Sequence, residues 1–92
     1  MNLFVGVGII TDAFESGRML KFTLSVNQER PCNVPCLIFD PDQKIKDFIE
    51  QVRKEQKFVW LKGKISTYEY EFKGKKGVKV DIVSHPKTII AI

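Results

Sequence analysis

Histidine occurs once in the 92 residues, at His85, and cysteine twice, at Cys32 and Cys36. A tetrahedral zinc site takes four ligands, so no metal site is expected. The two thiols are separated only by Asn33, Val34 and Pro35. Cysteines this close, in a chain read as cytosolic, are expected to stay reduced and to serve as partly buried small hydrophobes. No apolar run reaches the roughly 20 residues of a membrane-spanning helix, and no membrane partner is expected. The apolar stretch from Met1 to Asp12 has neither the basic start nor the small-residue cleavage site of a signal peptide. It is read as a strand, and the protein as cytoplasmic. No repeat, low-complexity tract or internal linker interrupts the chain, so residues 1–92 are read as a single domain. No nucleophile–base pair and no phosphate-binding loop stands out, which argues against an enzyme, against catalytic residues and against a cofactor.

What is present is an ordinary core and an uneven charge. Apolar residues make up 43% of the chain and charged residues 28%, with a formal net charge of +4. A small basic excess is by itself only a weak pointer to polyanions. Its distribution says more. Between positions 62 and 79 six lysines (Lys62, Lys64, Lys73, Lys75, Lys76, Lys79) face only Glu69 and Glu71, whereas from Asp40 to Gln56 five acids face four bases.

The order of elements follows from periodicity. Asn2 to Asp12 reads as a strand, with Gly6 and Gly8 marking a bend or bulge. Ala13 to Arg18 reads as a turn. Met19 to Asn27 alternates, with Leu20, Phe22, Leu24 and Val26 on one face and Lys21, Thr23 and Ser25 on the other. Gln28 to Pro35 reads as loop and Cys36 to Phe39 as a short third strand. Asp40 fits an N-cap, Pro41 the first helical position and Gln43 the third position of a capping box. Ile45, Phe48, Ile49 and Val52 then form the stripe of an amphipathic helix running from about Pro41 to Gln56 and closing one end of a barrel. The alternative for Asp40 and Asp42, an acidic metal pair, is unnecessary once capping explains them. Phe58 to Tyr70 reads as a long strand, Lys73 to Gly77 as a hairpin tip, and Val78 to Val83 as a strand. Pro86 interrupts, and Thr88 to Ile92 forms an extended apolar end. Three strands, a helix and two strands give an all-β fold class: a five-stranded antiparallel OB-fold barrel with one α-helix between strands 3 and 4, a fold whose face binds oligonucleotides or oligosaccharides.

Tyr68, Tyr70 and Phe72 fall at every second position, so their rings share one strand face, with Glu69 and Glu71 on the other and lysines on both flanks. Rings for bases and ammonium groups for phosphates are what sequence-tolerant single-strand binding requires. The alternatives are that the rings cover the barrel or form a subunit interface, and that the lysines of 73–79 merely solubilise a hairpin tip. Trp60 is read as core or interface packing, His85 as a surface residue, and Phe14 stays open.

The segments themselves resemble bacterial single-stranded DNA-binding proteins. Asn2–Asp12 resembles their opening strand, Leu20–Asn27 their second, Leu37–Phe39 their third, and Val59-Trp60-Leu61-Lys62-Gly63-Lys64-Ile65 their fourth. The resemblance implies base-stacking roles for Phe39, late in strand 3, and Tyr70, on the strand 4–5 hairpin. Two further stacking positions of that family fall near Arg30 and Asn33, where Arg30 offers a guanidinium plane instead of a ring. The family's acidic, partner-recruiting tail does not occur in the sequence, so a short form is expected. The candidate nucleic-acid-binding set is therefore Arg30, Phe39, Lys62, Lys64, Tyr68, Tyr70, Phe72, Lys73, Lys75, Lys76 and Lys79. The expected partners are single-stranded DNA, further copies of the chain in a dimer or tetramer joined through strand 1, and other replication proteins. The expected function is non-sequence-specific single-stranded DNA binding in replication, recombination or repair. The alternatives are a primosomal-type accessory module acting mainly through protein contacts, and an RNA-binding OB domain.

Overall fold

The computed structural model describes residues 3–26 and 32–92, with positions 68, 72, 78, 79 and 85–87 described by backbone alone. Five strands and a helix follow in the order β1 (Leu3–Ser16), β2 (Met19–Val26), β3 (Cys32–Phe39), α1 (Gln43–Glu55), β4 (Phe58–Phe72) and β5 (Lys75–Ala91). The strands close into a barrel in the order β1-β2-β3-β5-β4. The OB architecture read from the sequence is thus the one observed. One strand pair departs from the all-antiparallel expectation: β3 and β5 run parallel, joined at Cys36↔Ile82 and Leu37↔Val83. The helix between β3 and β4 reverses the chain, so β4 comes back antiparallel to β1 and β5 arrives beside β3 in the same direction as it.

Alternation sorts the side chains. Leu20, Phe22 and Leu24 of β2, Cys36 and Ile38 of β3, and Val59 and Leu61 of β4 point inward into one apolar cluster with Ile10, Ile82 and Ile89. Full burial of each such side chain stabilises the fold by about 1.5–3 kcal/mol. Helix α1 caps this cluster with Ile45, Ile49 and Val52, and Phe48 packs partly buried beside them, as its stripe requires.

Several boundaries differ from the sequence reading. Strand β1 continues through Ala13–Ser16, which pair with Phe22–Met19, so the turn before β2 is only Gly17 and Arg18. The register shifts between Ile10 and Asp12, a bulge that turns β1 between its two partners. Close packing fixes Gly8, because a Cβ there would lie 2.3 Å from the Ser25 carbonyl oxygen. Strand β3 begins at Cys32, and Pro35 lies within it, paired with Thr23 of β2. Proline is tolerated because β5 joins β3 only at Cys36 and Leu37, leaving that side of Pro35 without a ladder to supply. Strand β5 runs unbroken through position 86; instead of ending there, its register jumps so that Lys62 alone stands opposite residues 85–88. Thr88 Oγ1 donates to the Lys62 carbonyl at 2.8 Å across this irregularity.

The helix starts later than expected. Asp42, not Asp40, is its N-cap and accepts the Ile45 N–H at 2.9 Å. Asp40 is taken up elsewhere. It adopts a left-handed φ of 46° and is bound by Arg18. Gln43 donates to Asp47 four residues on, so no capping box forms. The helix ends at Gln56, whose left-handed conformation returns its N–H to the Arg53 and Val52 carbonyls.

Candidate nucleic-acid interface

The positions of β2 and β3 that alternate with their core residues include exposed Asn33, Pro35 and Phe39, half-buried Met19, Lys21, Thr23 and Ser25, and buried Leu37. They pair as Met19↔Phe39, Lys21↔Leu37, Thr23↔Pro35 and Ser25↔Asn33. Phe39 is 56% exposed, too open for a core ring. The row through Lys21 continues on both sides: Phe14↔Lys21, Lys21↔Leu37, Leu37↔Val83, Val83↔Lys64. One row around the closed barrel, at about 4.8 Å per strand, therefore carries a ring, a cation, two aliphatic side chains, of which Leu37 is buried, and a second cation.

Lys64 leads into the β4–β5 hairpin. Its pairing is Tyr68↔Lys79, Tyr70↔Gly77, Glu71↔Lys76 and Phe72↔Lys75. Because directly opposed residues share a face, the backbone puts positions 64, 68, 70, 72, 75 and 79 on one side and Glu69, Glu71 and Lys76 on the other. The hairpin turns tightly at Lys73 and Gly74, with φ of 51° and 77°, the two positive values of a type I′ turn. The broader tip expected at Lys73–Gly77 is thus two residues, and β5 starts at Lys75. Tyr70 is 41% exposed, and its ring lies over the bare backbone of Gly77.

The residues singled out from the sequence fall into three groups. Phe39, Lys64, Tyr70 and Lys75 are exposed, with Lys62 exposed at the β4 irregularity and Lys73 at the turn. Lys76 stands across from Glu71 on the opposite face. The side chains of Tyr68, Phe72 and Lys79, and all of Arg30, lie outside the described residues. Sequence reasoning missed Lys21, Met19 and Arg18. Lys21 was visible as the cation on the polar face of β2; its neighbours on β1 and β3 were not.

Electrostatics and thiols add little chemistry. Burial pushes the Cys36 thiol up to about 12, so it stays protonated. Cys32 is exposed at the start of β3, correcting the expectation that both thiols are partly buried. Among the described residues, no group of three or more His, Cys, Asp or Glu is placed to hold a metal ion. Likewise, no helix there is long and apolar enough to cross a membrane.

Neither a family model nor a curated protein matches the chain. Solved structures do. A mitochondrial single-stranded DNA-binding protein of S. cerevisiae, Rim1, superposes with a TM-score of 0.74 at 22% identity, covering 99% of this chain and 94% of its own. A second crystal structure of Rim1 gives a TM-score of 0.76 at 16% identity. Plasmodium falciparum SSB, in a complex with single-stranded DNA, gives 0.73 at 14% identity, covering 100% of this chain and 95% of its own. The chain has the fold of these proteins. The OB barrel is thus matched from end to end, helix included, and the identities of 14–22% carry the likeness no further than the fold.

Proposed function

We propose that this chain binds single-stranded DNA without sequence specificity, as a binding module rather than an enzyme, in replication, recombination or repair. One observation carries the reading: the rings of Phe39 and Tyr70 are exposed on the outside of an OB barrel that also presents Lys21 and Lys64 at outward positions. Stacking rings joined by cations suit a strand whose bases are unpaired and whose phosphates need neutralising. The fold shared with Rim1 and with Plasmodium SSB supports the same reading.

The module works as a homo-oligomer. Leu3, Val5 and Val7 of β1 are exposed, and Phe58 and Ile90 of the neighbouring strands are exposed beside them. Among the described residues β1 pairs β4 from Leu3 to Ile9 and meets β2 only from Ile9 onward. Its first half therefore carries exposed apolar side chains beside those of its neighbours, a surface suited to a second copy of itself across a two-fold axis.

The test is a fluorescence-polarisation titration with oligo-dT, oligo-rU and duplex DNA at two salt concentrations. Oligo-dT is expected to bind more tightly than duplex, with log affinity falling by about 0.7 per log unit of salt for each phosphate contacted. Equal affinity for duplex would overturn the reading, and tighter binding of oligo-rU would redirect it to RNA.

A further inference from the structure

The exposed Phe39 ring sits at the mouth of a groove. Where the β1–β2 turn meets the end of β3, Ser16, Gly17, Arg18, Met19, Phe39 and Asp40 line a shallow depression. Arg18 and Asp40 are joined there three times. The Asp40 N–H donates to the Arg18 carbonyl at 2.7 Å, Arg18 Nε donates to Oδ1 at 2.8 Å, and Nη2 donates to Oδ2 at 2.7 Å. A two-pronged pair of this kind fixes the plane of both groups. Both side chains nevertheless stay open to solvent, 83% and 58% exposed. Exposed pairs add little stability, so holding the fold together does not account for this one.

The pair retains unused hydrogen-bonding capacity. A guanidinium has five N–H donors; Asp40 takes those on Nε and one on Nη2, leaving both on Nη1 and the second on Nη2. Each carboxylate oxygen keeps accepting capacity as well. Oriented donors and acceptors thus border the same groove as a ring suited to stacking. Charge does not forbid a nucleotide there. Asp40 is matched by Arg18, Glu15 is held by Lys46 at 2.9 Å, and Lys21 supplies a cation on the same face.

Resting on the single-strand reading of this surface, we propose that the groove is a nucleobase pocket that favours guanine. The base stacks on Phe39 and turns its edge to Arg18 and Asp40. Guanine offers O6 and N7 as adjacent acceptors, the pair an arginine fork reads best. Its N1–H and N2–H donors suit a carboxylate. Thymine sets a methyl group beside its O4, cytosine offers an amino donor, and adenine pairs one acceptor with one donor. In a single strand these edges are not occupied by base pairing. The module is then sequence-tolerant along most of its path and selective at one position.

The experiment compares oligo-dT with the same strand carrying one dG or one dA, which can bind in whichever register seats the purine. The dG strand is expected to bind about fivefold or more tightly than all-dT, with the dA strand close to all-dT. In Arg18→Lys, which keeps the charge but loses the fork, and in Asp40→Asn, the dG-to-dT ratio is expected to fall to about one, with circular dichroism confirming an intact barrel. Tyr70→Ala is expected to lower both affinities and preserve the ratio. Equal affinities in the native protein, an equal gain from dA, or a ratio that survives both substitutions would overturn the guanine pocket. Failure to bind oligo-dT at all would overturn the single-strand function itself.

Discussion

The ring of Tyr70 lies across Gly77 on the facing strand so closely that a Cβ at Gly77 would fall 2.6 Å from its Cζ and Oη. Only a residue without a side chain lets the ring settle against the hairpin backbone. Gly77→Ala is therefore expected to weaken oligo-dT binding to much the same degree as Tyr70→Ala, about 1–3 kcal/mol. The double substitution should cost little more than either alone. Titration of the three variants checks this; additive losses would mean that Gly77 acts apart from the ring.

Lys75 and Lys76 are neighbours in sequence on opposite faces of the hairpin. Lys75 stands across from position 72 on the outward side, and Lys76 across from Glu71. Lys75→Ala is expected to lower the salt slope of binding by about 0.7, the value of one phosphate contact, and Lys76→Ala to leave it nearly unchanged. Equal effects would show that the strand does not keep to one face.

This distinction marks where sequence reading stops. The alternation of β2 and the apolar stripe of α1 placed Phe22, Leu24, Ile45 and Ile49 in the core directly, because burial is periodic within one element. Pro35 was misread as loop because its lost donor matters only where a neighbouring strand needs it, and that depends on how far β5 reaches. Glu15, Ser16 and Gly17 look like a turn, yet long strand ladders override such local preferences up to the last two residues. Phe39 and Tyr70 were legible through the resemblance to a known family. The row around the barrel that passes between them was not, since Phe14, Lys21, Leu37, Val83 and Lys64 come from five strands and meet only through barrel register.

Acid should destabilise the fold in a defined window. Hydrogen bonds from Arg18 hold the Asp40 carboxyl below its ordinary range; those from Arg53 and Lys57 do the same for Glu50 and Glu55. Each folded carboxylate gives up its proton more readily than the unfolded one. Its contribution is complete above the usual carboxylate range and is lost as pH falls through the lowered folded values. Urea midpoints are expected to be flat from neutral to about pH 5 and to drop only slightly below about pH 4, because all three carboxylates are exposed to solvent. Asp40→Asn should make the drop shallower, and only modestly, because the pair is exposed. A drop of equal size in that variant would remove Asp40 from the account.

Assembly is open to a single substitution. Val5 is 57% exposed on the half of β1 that pairs with β4. A charge at its position should repel a second copy without disturbing the core. Val5→Asp is expected to shift light scattering from an oligomer to the 10.6 kDa monomer. A native protein already monomeric at micromolar concentration would contradict the proposed interface.

The parallel seam between β3 and β5 rests on two residue pairs, Cys36↔Ile82 and Leu37↔Val83, while every other junction of the barrel is longer. Its strands are far apart in the chain, whereas β1-β2-β3 and β4-β5 form from adjacent segments. Contacts between remote segments form late in folding, and short ladders open at low cost in the native state. The barrel should therefore breathe at this seam. Of Ile82 and Val83, which are paired with both β3 and β4, the one amide hydrogen that points to β3 should exchange with solvent faster than that of Leu24 in the interior of β2. Since the seam lies between Lys21 and Lys64 in the same row, a strand bridging the two lysines would latch it shut, and slowed exchange at that amide would record its presence.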